Sequence, residues 1–131
     1  MHAPTEYCRT EIKICGDSRA LSAVCAAVEY CAAHLPFSPD EIQELTAATE
    51  SLLTLALPSL AADEKLAVSI EQHPNRLEIE LVGPGAATGE WASLRKLEGI
   101  DQMDRESGAG FTRLKIVKFV PGAANPSAPH H

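Results

Sequence analysis

SPDEIQELTAATESLLTLAL, residues 38–57, is the stretch from which the fold is read. Ser38 is placed to accept a bond from a free backbone N–H at a helix start, Pro39 suits the first helical position, and Glu41 completes a capping box. Ile42, Leu45, Thr49, Leu52 and Ala56 then recur at three- and four-residue steps, with Leu53 and Leu57 widening the stripe. Pro58 ends the helix. Glu50 sits midway, with Thr54 one turn later on the same face.

Working outward from this helix, residues 19–35 carry a second amphipathic pattern: Leu21, Val24, Cys25, Val28, Ala32 and Leu35. Asp17 or Ser18 is its cap, Pro36 breaks it, and Phe37 is positioned to staple onto Ile42. Before it, Thr10, Ile12 and Ile14 alternate with Arg9, Glu11 and Lys13, which is the pattern of a half-buried strand. After the central helix, Leu66, Val68 and Ile70 alternate with polar residues. His73, Pro74 and Asn75 then turn the chain, and Leu77, Ile79 and Leu81 alternate with Arg76, Glu78 and Glu80. This is the clearest hairpin in the sequence. Residues 83–90, GPGAATGE, read as a loop. Thr88 caps an expected third helix over 89–98, with Trp91, Leu94 and Leu97 inward, Arg95 and Lys96 near its C-terminal end and Gly99 as its stop. Residues 100–104 form a weak strand, and 111–120 a strong one whose alternation Lys118 interrupts.

The order β, α, α, β, β, α, β, β implies an α+β two-layer sandwich, with three helices on one face of a five-stranded mixed sheet. The domain spans 7–120, between a short disordered N-terminus (1–6) and a disordered tail (121–131) that ends in His130 and His131.

The chain has 131 residues and a net charge of −7, so a nucleic-acid backbone is a poor partner. Up to Leu60 there are 8 acidic and 3 basic side chains, which makes the helical half the acidic one. The sequence has no apolar run of membrane-spanning length, and MHAPTEYCRTE does not resemble a secretory leader, so a cytoplasmic protein is expected. Cys8, Cys15, Cys25 and Cys31 lack C-x-x-C spacing and read as structural thiols.

The run 47–54 resembles the second helix of the histidine-kinase-like (GHKL, or Bergerat) ATPase fold, and most closely that of the small anti-sigma-factor serine kinases. In that family a glutamate acts as base and an asparagine one turn later holds magnesium at the triphosphate. Glu50 falls on the first position and Thr54 on the second. Gly83, Pro84 and Gly85 fall on the family's Asp-any-Gly box, with Gly83 where the adenine-binding aspartate would stand. Gly89 is the one glycine left in a shortened lid. Gly108 and Gly110 match the closing turn, with Thr112 displaced by one.

The resemblance implies a remnant ATP site made of Glu50, Thr54, Gly83, Gly85 and Gly89. Gly83 has no acceptor for an exocyclic amine, and Thr54 alone is a thin magnesium ligand set. No bound cofactor is therefore expected, and ATP with magnesium is the alternative. The expected function is a regulatory protein-binding module. Its partner would be a sigma factor, an anti-sigma antagonist or a response regulator, and the chain would form a homodimer through its first helix. The rival readings are an ATP-dependent serine kinase using Glu50 and a phosphorelay protein using His34.

Overall fold

The computed structural model describes residues 7–89, 91, 94 and 97–122. The expected N-terminal segment 1–6, residues 123–131 of the expected tail 121–131, and the placing of Arg95 and Lys96 lie outside the described residues. In chain order the elements are β1 (Cys8–Ile14), α1 (Arg19–Ala32), α2 (Pro39–Ala56), a 3₁₀ turn (Leu57–Ser59) and β2 (Leu66–His73). These are followed by β3 (Arg76–Pro84), the single-turn α3 (Gly85–Thr88), β4 (Gln102–Gly108) and β5 (Phe111–Phe119).

The start of α2 follows from its first residues. Glu41 N–H donates to Ser38 Oγ at 3.2 Å, and Ser38 N–H donates to the Glu41 carboxylate at 2.7 Å, so the capping box is closed both ways. At α1 the cap is Asp17 rather than Ser18: its Oδ1 accepts from Arg19 N–H at 2.8 Å, and the Ser18 side chain makes no cap bond. The buried residues of α2, namely Leu45, Ala48, Thr49, Leu52, Leu53 and Ala56, face the sheet together with Val24, Val28, Cys31 and Ala32 of α1.

The sheet has strand order β1-β2-β3-β5-β4, and every neighbouring pair is antiparallel. Its inner face is written in cross-strand rows. Ile12, Val68, Leu81 and Leu114 lie side by side in one, and Thr10, Ile70, Ile79 and Ile116 in the next. Val68, Ile70, Leu77, Ile79, Leu81, Leu114 and Ile116 are fully buried. The outer face carries the alternate residues, among them Arg9, Glu71, Glu78, Glu80, Arg113 and Lys115, joined by ion pairs. Among the described residues, no helix is long and apolar enough to cross a membrane.

Two expectations are corrected here. The sheet is antiparallel, not mixed. Two antiparallel helices between β1 and β2 return the chain to the end where it left, so β2 runs against β1. The crossover after β3 does bring β4 back in the same direction as β3, but β5 inserts between them and runs against both.

The third helix over 89–98 is also overturned: among the described residues the fold has two long helices, and the one α-helical element after β3 is the single turn Gly85–Thr88. β3 runs on through Pro84, and that turn begins at Gly85, so Thr88 lies inside it and donates its hydroxyl to Pro84 O at 2.9 Å. Further along, a longer helix would need the carbonyls of Trp91 and Leu94 for its own N–H groups. Arg105 Nη1 takes both, the first at 3.0 Å, while Leu94 N–H bonds Trp91 O in a tighter three-residue step. The α+β, helix-over-sheet arrangement stands; its third helix and its mixed sheet do not.

Candidate functional site

Glu50 lies exposed in mid-α2, in an outward row with Gln43, Ala47 and Thr54 that faces away from the buried row Leu45, Thr49, Leu52 and Ala56. It lines two adjoining clefts on the helical surface. One, of about 510 Å³, has Glu29, Ile42, Gln43 and Thr46 among its walls. The other, of about 280 Å³, is walled by Leu21, Ser22, Cys25, Ala26, Glu29 and Thr46. Glu50 thus faces the α1–α2 groove, opposite Glu29. Thr54 lines a separate cleft with Gly16, Ser18, Leu21, Leu57 and Pro58.

The glycines are placed differently. Gly83 is buried within β3, and a Cβ added there would come 2.8 Å from Thr88 Cγ2 and closer still to Leu66 Cδ1. The residue is glycine because its neighbours occupy that space. Gly85 opens α3 and donates its N–H to Gly110 O at 3.0 Å, tying the 83–89 segment to the β4–β5 turn. Gly89 is exposed, with open space around its Cα. The geometry therefore groups Gly83 and Gly85 with Leu66, Thr88 and Gly110, and groups Glu50 with α1.

Trp91 carries the largest fully buried side chain and donates its indole N–H to Leu52 O at 3.0 Å, pinning the β3–β4 crossover onto α2. On the other side of α2, Lys118 Nζ reaches Glu44 Oε1 at 3.1 Å and also the Gly99 carbonyl. The side chain is 8% exposed and lies on the inner face beside Leu77. It keeps the strand alternation rather than breaking it, with its charge met by two oxygens. Gly99, at φ +79°, supplies the turn that aims its carbonyl there.

His34 is exposed just past α1, with Nδ1 2.8 Å from Tyr30 O and its ring edge-on to Tyr30 at 4.7 Å. All four cysteines are free thiols. Cys25 faces the α1–α2 groove, and its thiol pKa is pushed up by burial and then by the charges of Glu50 and Glu29.

The sequence reading missed one cluster. Glu71 and Glu78 stand directly opposite each other across the β2–β3 ladder on the outer face, with His73 beside them. Counting register outward from the Pro74–Asn75 turn finds the pair, since His73 faces Arg76 and Gln72 faces Leu77. No family model matches the chain, and no curated protein is significantly similar to it.

Proposed function

We propose that this chain is a regulatory protein-binding module that acts by self-association or by holding a partner through the outward face of α1. The observation that carries this reading is the composition of that face. Ser22, Ala23, Ala26, Tyr30 and Ala33 are exposed along it, Tyr30 at 69%, and its charges are Arg19 at the N-terminal end, paired with Asp17, and Glu29. Side chains of this size let a second helix approach closely, within the usual 8–10 Å between axes. Tyr30 adds an aromatic anchor of the kind that dominates interface energetics. The neighbouring outward surface of α2 carries Asp40, Glu44 and Glu50. Two copies of a chain with net charge −7 meet at least electrostatic cost along the neutral stripe.

The resemblance to anti-sigma-factor kinases bears on the partner class: a sigma factor, an anti-sigma antagonist or a response regulator. The kinase reading needs Glu50 beside a bound triphosphate. Glu50 instead shares its groove with Glu29, which would repel one. A phosphorelay would have to use His34 Nε2, since Nδ1 lies 2.8 Å from Tyr30 O.

Calorimetric titration with ATP and magnesium separates these readings. We expect no binding tighter than about millimolar, some 4 kcal/mol. A micromolar dissociation constant, with phosphoryl transfer that Glu50→Gln abolishes, would overturn the binding-module reading in favour of a serine kinase. Phosphate appearing on His34 would favour the relay.

A further inference from the structure

We propose that Glu71, His73 and Glu78 form a site for a divalent transition-metal ion of the zinc class on the outer face of the sheet. The inference is independent of how α1 binds. It rests first on donor geometry. His73 Nε2 lies 3.4 Å from Glu71 Oε1 and 3.7 Å from Glu78 Oε2, and one donor atom from each of the three residues fits within 4.8 Å. Donors bound to zinc at about 2.0–2.2 Å stand about 3.3–3.6 Å apart in a tetrahedron. The cluster is therefore close to a ligand arrangement before any ion arrives. A mixed imidazole and carboxylate set selects zinc, cobalt or nickel over magnesium and calcium, which favour oxygen alone.

The second observation is the concentration of charge at this point of the sheet. Glu71 and Glu78 are cross-strand partners, an arrangement that on its own destabilises an antiparallel pair. Their side chains are only 26% and 12% exposed, and Arg9, Arg76 and Lys115 offset the two charges when no ion is bound. A bound cation would share these carboxylates with those side chains. The remaining contacts orient the donors. Arg9 holds Glu71 Oε2 at 3.2 Å and Lys115 holds Glu78 Oε1 at 3.3 Å, which leaves the other oxygen of each carboxylate turned to His73. The ring of Tyr7 packs on the imidazole at 5.2 Å. Such outer contacts set the pose of metal ligands. One group competes: Arg76 Nε bonds Glu78 Oε2 at 2.6 Å, and the ion must displace it.

The test is titration of the full chain with Zn²⁺ by calorimetry and with Co²⁺ by visible absorption. The wild type should bind one equivalent at this site, with the intense visible bands of four-coordinate cobalt. His73→Ala should weaken this binding at least tenfold, and Glu71→Gln and Glu78→Gln should each weaken it. Arg76→Ala should tighten it severalfold by freeing Glu78. A thermal melt of each variant establishes that it is folded, as expected for side chains on the outer face. Absence of saturable binding in the wild type would overturn the proposal. So would affinity unchanged by both His73→Ala and Glu78→Gln, which would assign the metal to other histidines such as His130 and His131.

Discussion

Gly83 shows how far one residue decides what this scaffold can hold. Leu66 and Thr88 fill the space where its side chain would go, so Gly83→Asp, the residue the resembling kinases carry there, would force both aside and bury a carboxylate. We expect a loss of about 3 kcal/mol or more in chemical denaturation, without gain of nucleotide affinity. Asp17 gives a titration test. The Arg19 guanidinium, followed by the Arg19 backbone N–H, holds its carboxyl at about 2, below its ordinary 3.8. A lowered folded-state pKa means stability that is fully present above the ordinary value and lost as pH falls toward 2. Carboxyl titration by NMR should place the Asp17 midpoint near 2, and Arg19→Ala should move it up. Among the thiols, exposed Cys8 and Cys15 should alkylate first at pH 8, and Cys25 and Cys31, whose pKa values burial raises, should alkylate last.

At the scale of elements, α2 was legible because its cap, stripe and stop are all local. Ser38→Ala removes the acceptor for Glu41 N–H and should cost about 1 kcal/mol of stability. The hairpin 66–84 was legible for a similar reason, since period-two alternation and a short turn are both written in neighbouring residues. What was not legible depends on distant partners. The apolar spacing of Trp91, Leu94 and Leu97 suggests a helix, but Arg105, on another element, takes the carbonyls that a helix would use. Lys118 looks like a break in its strand until Glu44 and the Gly99 carbonyl, both remote in sequence, are seen to receive it. Lys118→Met should cost about 1–2 kcal/mol in a denaturant melt, because the Gly99 carbonyl loses its donor while Glu44 still reaches water. In the candidate nucleotide site, letters at matching spacing did not reveal side-chain direction: Glu50 and Thr54 were correctly placed one turn apart on α2, yet both point outward.

For the whole molecule, sheet sense was the largest gap between pattern and structure. Alternation identifies strands but not their neighbours, and the insertion of β5 between β3 and β4 is a long-range choice that no local stretch records. The resulting architecture gives two unlike surfaces. The outer sheet face is a network of ion pairs around Glu71 and Glu78, whereas the outer face of α1 is small and nearly uncharged. The account rests on that second surface being an interface. Light scattering on the purified chain tests it most directly, alongside Ala26→Glu, which places a charge at an exposed position in the middle of α1. The account predicts twice the 14.0 kDa chain mass for the wild type, and a folded monomer with unchanged circular dichroism for the variant. A wild type that is monomeric at every concentration and holds no partner through α1, or a dimer that Ala26→Glu leaves intact, would contradict it.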